Sequence, residues 1–292
     1  MNKKEKLNFI STSLPELKIT HVLVNDTGWD NDVIIINRDL VFRFPKSNEI
    51  AEKVLIEFDL LKSLNTLHLP LNVPDYHLLY DQNRPLKCVY YPLISGVTLG
   101  EYAVIGNTDE NAKLLGEFLT LLHSLETSSG LETAHTHDFW INLFDSVQKE
   151  IFQFLSEQQK YDVSKTFNTF LENYPPHTLP KSVIHGDLTA SNIVMDNATE
   201  RINGIIDFTD AQIGDPAFDF AGFYWNFGPE FTKCVLANYQ GVEASEAIFD
   251  RVKRFYGLQP VFHELLHATR NGDPVDWTTA MNKFSLLKGR NT

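Results

Sequence analysis

Val183-Ile184-His185-Gly186-Asp187-Leu188-Thr189-Ala190-Ser191-Asn192-Ile193-Val194-Met195-Asp196 is the stretch from which the rest of this 292-residue chain can be read. An apolar pair runs into a polar loop and then returns to an apolar strand. After the polar Asn197–Arg201 comes Ile202-Asn203-Gly204-Ile205-Ile206-Asp207-Phe208-Thr209-Asp210, a second apolar strand that ends in acids. If the two strands pair as a hairpin, Asn192 and Asp207 fall roughly opposite each other. An amide oxygen and a carboxylate then converge, a donor pair suited to a hard cation such as Mg²⁺. Asp187 lies on the same loop, placed to accept a proton from a hydroxyl aimed at a metal-bound phosphate, which is a phosphotransfer arrangement. Each piece alone reads equally well as a plain polar turn; the conjunction is much more specific.

Upstream, Val33-Ile34-Ile35-Ile36 and Leu40-Val41-Phe42-Arg43-Phe44 are β-rich runs separated by the polar turn Asn37-Arg38-Asp39, which predicts a hairpin. Pro45 ends the second strand. Apolar residues then recur at helical spacing through Ile50, Val54, Leu61 and Leu64. Further strands are expected at Tyr76–Tyr80 and Lys87–Tyr91, before Pro92, Gly96 and Gly100 punctuate the chain. Glu110–Leu125 carries a broad apolar helical face, Phe139–Tyr174 reads as more helix, and the region after Asp215 reads as mostly helical. The outline is α+β: a small β-rich N-terminal lobe (1–92), a hinge (93–100) and a larger, mainly helical C-terminal lobe (101–292).

Composition narrows the function. The 25 basic residues are outnumbered by 38 acidic ones, leaving a net charge of −13 that repels nucleic-acid phosphates and attracts cations. Nucleic acid is therefore not an expected partner. Cys88 and Cys234 stand far apart, without the spacing of a disulfide framework or a zinc cluster, which suggests a reducing cytoplasm. No run approaches the ~20 apolar residues needed to span a bilayer, and Met1–Leu7 lacks the apolar core of an export signal.

The motifs at His185–Asn192 and Ile206–Asp210 resemble the signature of the aminoglycoside phosphotransferase family, within the two-lobed protein-kinase-like fold. Macrolide phosphotransferases are close relatives. The likeness runs from about Asn25 to about Tyr239 and is strongest between Val183 and Phe220. It implies that Asp187 is the catalytic aspartate, that Asn192 and Asp207 hold Mg²⁺, and that Asp219 braces the catalytic loop, with His185 grouped beside it. It also implies a third-strand cation for the nucleotide phosphates, and the matching position is Arg43 instead of the usual lysine; the macrolide enzymes look similar in this respect. Lys46 falls on the other face of the strand by alternation. Gly28, within Asn25–Asp30, is expected in the phosphate-covering loop. Tyr91 and Leu93 lie where main-chain groups of this fold hydrogen-bond a purine.

Glu57 supports the assignment of Arg43 independently, because it sits on the apolar face of its helix, three residues after Val54 and four before Leu61. A carboxylate there calls for a cation from the adjacent hairpin, or else reaches water at the rim. Asp215-Pro216 reads as a helix cap and first-turn proline. Asp219 follows Asp207 by only twelve positions, leaving no room for a long peptide-docking segment, so the expected acceptor is a small molecule. Phe223, Tyr224, Trp225, Phe227 and Phe231 read as core, with an acceptor wall as the alternative. His263-Glu264-Leu265-Leu266-His267 matches the zinc-protease helix pattern, but no third ligand accompanies it.

The expected activity is thus transfer of the γ-phosphate of ATP or GTP to a hydroxyl of a small cationic acceptor, an antibiotic of the aminoglycoside type, with Mg²⁺. A macrolide or other small amino-alcohol is the alternative acceptor. A catalytically silent nucleotide-binding sensor is the alternative of a different class, and retention of Asp187, Asn192 and Asp207 together argues against it.

Overall fold

A computed structural model describes residues 1–25, 30–81, 85–100, 105–106, 108–126, 130–174, 178–241 and 243–289. The chain divides into two compact units, one of Met1–His68 with Asn72–Ser95 and the other of Leu69–Leu71 with Gly96–Thr292.

The first unit runs α1 (Lys3–Ser13), β1 (Val22–Asn25), β2 (Asn31–Ile36), β3 (Leu40–Pro45), α2 (Asn48–Leu64), β4 (His77–Tyr80) and β5 (Leu86–Pro92). The strands form one antiparallel sheet in the order β1-β2-β3-β5-β4. The β2–β3 hairpin closes on Asn37 and Arg38, both left-handed at φ 56° and 59°, with the Asp39 N–H donating to the Ile36 carbonyl at 3.0 Å. Two successive left-handed residues give the turn the hand that matches strand twist. Alternation sorts the side chains. Ile34, Ile36, Phe42, Phe44 and Cys88 pack with Ile10 of α1 in one core. Arg43 and Val41, which alternate with that set, pair in register with Val89 and Tyr91. Lys46 joins the α1 side, its Nζ lying 3.5 Å from Asp32, which also pairs with Lys6 of α1. Ser47 caps α2 by accepting from the Ile50 N–H.

The second unit contains β6 (Val97–Thr98), α3 (Thr108–His123), α4 (His137–Ser146), α5 (Glu157–Asn173), β7 (Ser182–Ile184), β8 (Ile193–Asp196), β9 (Arg201–Ile205), β10 (Gln212–Gly214), α6 (Ala221–Ala237), α7 (Ser245–Arg251), α8 (Pro260–Asn271) and α9 (Trp277–Gly289). The helical stretch expected over 139–174 is interrupted. Beyond α4 the chain makes a wide turn and then a tight one, and Ser156 starts α5 afresh in a capping box with Gln159. Two short antiparallel sheets, β6-β8-β9 and β7-β10, interleave with the helices. Phe223, Tyr224, Trp225 and Phe231 are buried and Phe227 is half-buried, as a core reading of that run requires. Both cysteines are free. Among the described residues, no helix is long and apolar enough to cross a membrane.

Candidate active site

The loop after β7 and the β8–β9 hairpin place the acidic cluster. Ile193 pairs with Ile205, and the Ile206 N–H donates to the Asn192 carbonyl at 3.0 Å. Asn192 therefore stands beside Ile206, with Asp207 the next residue along. The Asn192 side-chain amide donates to the Asp187 backbone carbonyl at 2.7 Å and to its Oδ2 at 2.9 Å. Those two bonds orient the amide with its nitrogen toward Asp187 and its Oδ1 turned away. Asp187 and Asn192 are thus joined side chain to side chain on one loop, and the hairpin sets Asp207 one residue beyond Ile206, the backbone partner of Asn192.

Local geometry holds this arrangement. Gly186 is left-handed at φ 80°, and a Cβ there would overlap the Asp210 carbonyl oxygen, so glycine answers two constraints at once. His185 is fully buried. Its Nε2 donates to the Ile206 carbonyl at 3.1 Å and its Nδ1 accepts the Asp187 N–H at 3.3 Å, tying the two strand ends together. Asp207 occupies the left-handed region at φ 64°, a conformation that costs a non-glycine residue about 1 kcal/mol or more, and accepts from Thr209 Oγ1 at 2.8 Å. Such strain persists where surrounding contacts impose it.

Asp219 is the brace. Its Oδ2 accepts from the His185 N–H at 2.8 Å and from His123 Nε2 at 3.0 Å, while Oδ1 accepts from the Gly186 N–H at 3.0 Å. Burial alone would raise this carboxyl, but the His123 imidazole and the backbone donors hold it below its ordinary value. His123 in turn contacts the Tyr239 hydroxyl through Nδ1 at 2.8 Å. His123 is buried on the apolar face of α3, four residues after Leu119. Asp215 does cap the turn beginning at Pro216, and it also pairs with the buried Arg251 at 2.7 Å.

Asp187 reaches solvent, yet protein packed closely around its carboxylate strips away much of its hydration. That desolvation, reinforced by the nearby charges of Asp210 and Asp207 against the opposing effects of His185 and Asn192, pushes its pKa up to about 6. Gln212 links the same loop to the segment before α4: its Oε1 accepts from the Ala134 and His135 N–H groups at 3.0 and 2.9 Å, and its Nε2 donates to the Asp210 carbonyl at 3.3 Å.

In the first unit, Arg43 Nη1 donates to Glu57 Oε1 at 3.0 Å, and both side chains are buried. The Tyr76 hydroxyl, which sequence reasoning did not single out, joins this pair. Tyr91 is buried in β5, and the Leu93 N–H is engaged by the Asp39 carbonyl at 2.7 Å. Gly28 lies outside the described residues.

The oxygen donors fit Mg²⁺. Asn192 Oδ1 and the exposed Asp207 carboxylate are hard oxygen donors, and among the described residues no group of three or more His, Cys, Asp or Glu forms a dedicated metal cage. A two-donor site suits an ion that keeps waters and phosphate oxygens in its shell. The zinc-protease pattern dissolves in three dimensions. His263 stacks on Phe139, Glu264 accepts from Trp225 Nε1 at 3.1 Å, and His267 accepts from Asn271.

A small antiparallel β unit, a larger helical unit and this loop-and-hairpin carboxylate cluster define a phosphotransferase of kinase-like fold. The chain belongs to the phosphotransferase enzyme family, which matches residues 21–254. The solved GDP and kanamycin complex of APH(2")-IIia is 26% identical, with a TM-score of 0.83 and coverage of 99% of this chain and 100% of that one. Viomycin phosphotransferase of Streptomyces vinaceus is 24% identical over 261 residues, 86% of this chain and 88% of its own. The structure of macrolide 2'-phosphotransferase type I shares the fold at 21% identity and a TM-score of 0.68, covering 99% of this chain and 97% of that one.

Proposed function

We propose that this enzyme moves the γ-phosphate of ATP or GTP to a hydroxyl of a small, cationic, hydroxylated acceptor of the aminoglycoside type. The observation that carries the reading is the junction of Asp187 and Asn192 by two hydrogen bonds, with Asp207 at the facing strand end. The acceptor oxygen forms a bond to the γ-phosphorus as its proton passes to the Asp187 carboxylate. The bond to the β-phosphate oxygen breaks, and the nucleoside diphosphate leaves with the electron pair. A carboxyl with a pKa of about 6 is mostly ionised at neutral pH and still close enough to it to serve as a proton acceptor.

Asn192 and Asp207 are the protein ligands for Mg²⁺, which supplies charge neutralisation for the donor phosphates. Arg43, held by Glu57, is the cation for those phosphates. Gly28 belongs to the covering loop, Tyr91 to the purine-binding strand, and Leu93, just past that strand, has its carbonyl to offer because its N–H is engaged by Asp39. His185 and Asp219 keep the Asp187 loop in place. A cationic acceptor is favoured by the net charge of −13 and by the kanamycin bound to a relative of the same fold. GDP in that relative supports a purine nucleotide as donor.

The test is γ-phosphate transfer from labelled ATP and GTP to a panel of aminoglycosides, macrolides and simple amino-alcohols, with Mg²⁺ varied. The expected result is labelled aminoglycoside and a roughly 10²- to 10⁴-fold loss of kcat in Asp187→Asn. Label on a macrolide alone would reassign the acceptor. Tight nucleotide binding with no labelled product from any acceptor, or unchanged turnover in Asp187→Asn, would overturn the proposed mechanism.

A further inference from the structure

Tyr76 immediately precedes β4, and its environment is unusual for a residue at a strand entrance. It is 4% exposed, between Arg43 at 5% and Glu57 at 2%. Its hydroxyl donates to Glu57 Oε1 at 2.8 Å and accepts from Arg43 Nη1. One guanidinium nitrogen therefore carries both the Glu57 bond and the Tyr76 bond, which fixes the plane of the whole planar fork. Lysine, a point cation on a flexible stem, has no plane to fix; arginine grips phosphate bidentately only when its plane is right. The centroid of the phenol ring lies 5.1 Å from that of the Tyr91 ring at an interplanar angle of 36°. Asn65, at the end of the helix that bears Glu57, donates to the Pro74 carbonyl at 3.1 Å and pins the segment leading into Tyr76. Burial also holds the phenol well above its ordinary pKa, so the hydroxyl keeps the proton it donates.

We infer that Tyr76 is a positioning residue of the nucleotide site: its hydroxyl orients the Arg43 guanidinium for the donor phosphates, while its ring supports Tyr91 on the purine-binding strand. This rests on the assignment of Arg43 and Tyr91 to nucleotide binding. It divides one side chain into two separable duties, and it gives the arginine at this position a partner that a lysine would not use.

Calorimetric titration of the full chain with ATP, GTP and the corresponding nucleosides separates the duties. Tyr76→Phe keeps the ring and loses the hydroxyl. It is expected to weaken triphosphate binding roughly 10- to 100-fold, the range for a buried hydrogen bond to a charged group, and to leave nucleoside affinity within about twofold. Tyr76→Leu is expected to weaken both. In combination with Tyr76→Phe, Arg43→Lys should cost less than it does alone, because the orientation it forfeits is already lost.

Equal effects of Tyr76→Phe on triphosphate and nucleoside, no effect on either, or multiplicative losses with Arg43→Lys would overturn the inference. Arg43→Ala distinguishes the levels: if it leaves triphosphate affinity unchanged, the nucleotide assignment fails, whereas if it weakens binding and Tyr76→Phe does not, only the Tyr76 role fails. Should Tyr76→Phe not fold, 3-fluorotyrosine at position 76 preserves the packing while making the phenol a stronger donor and a weaker acceptor. Triphosphate affinity should then shift with nucleoside affinity constant, and the absence of a shift overturns the role.

Discussion

Replacing Asp219 by asparagine removes one charge and rearranges three hydrogen bonds at a position that is 1% exposed. The carboxylate divides its donors unevenly, with two on Oδ2 and one on Oδ1. An asparagine oxygen on the two-donor side keeps His185 N–H and His123 Nε2 but turns its own NH₂ against the Gly186 N–H. The opposite flip keeps only Gly186 and sets the amide against the other two. In the better orientation one charge-assisted bond becomes a buried donor facing a donor, a loss of about 1.5–3 kcal/mol, and two further bonds fall from charged to neutral strength, each worth about 1 kcal/mol less. The expected destabilisation is about 3–5 kcal/mol, a large share of a typical domain's stability.

The damage should not be confined to stability, because the Gly186 N–H that loses its acceptor is adjacent to Asp187. Urea denaturation followed by tryptophan fluorescence reads mainly the helical unit, which holds three of the four tryptophans, Trp140, Trp225 and Trp277. Phosphotransfer at a saturating acceptor concentration reads the loop. The expectation is a lowered midpoint and a lowered kcat with nucleotide affinity retained. A stability loss below about 1 kcal/mol with full kcat would refute the claim that this carboxylate holds the loop.

Acidification tests a half-buried imidazole. Burial, with His263 close by, pushes His135 down to about 4 from 6.5, so the unfolded chain binds this proton first; stability present above pH 6.5 is lost as pH falls toward 4. At about 1.4 kcal/mol per unit the loss approaches about 3 kcal/mol, and His135→Phe should remove that part of the urea-midpoint slope between pH 7 and 4. Gly222→Ala puts a Cβ into the Leu188 carbonyl oxygen; it should cost about 1–3 kcal/mol and lower kcat without altering nucleotide affinity, as measured by denaturation and titration. Asn192→Ala, which removes an oxygen donor, and Asp207→Asn, which keeps one oxygen but removes the charge, should each raise the Mg²⁺ concentration for half-maximal transfer at least about tenfold; an unchanged Mg²⁺ titration in both would remove them from the metal site.

What was legible in the sequence follows the range of the contacts. His185, Asp187 and Asn192 lie on one loop and Asp207 just past the end of β9, so hairpin geometry alone brings their backbones together and periodicity suffices to see it. The Arg43–Glu57 pair is also short-range, separated by 14 positions, and a carboxylate on an apolar helix face betrayed it. The N-terminal helix left no comparable trace: of its eleven residues only Lys6 and Ile10 are buried, too thin a stripe to register as periodicity. β1 was missed for a related reason, since Leu23 and Val24 of this edge strand are exposed and alternate with nothing polar.

The bracing contacts are a different matter. His123 lies 96 positions from Asp219, and Tyr76 lies 33 from Arg43. Each is a polar residue in an apolar setting whose partner is supplied by a distant element, and no local pattern names that partner. Chemistry at this site is written in short-range motifs because the reacting groups must share one rigid loop, whereas orientation is contributed by whichever buried donor the packing delivers. It follows that a relative can keep the motif from Gly186 to Asn192 and replace Tyr76 or His123 with another hydrogen-bonding pair. On the proposed roles of Arg43 and Asp187, exchange of the hydroxyl on Arg43 would alter nucleotide affinity and exchange of the imidazole on Asp219 would alter rate, with the motif itself unchanged.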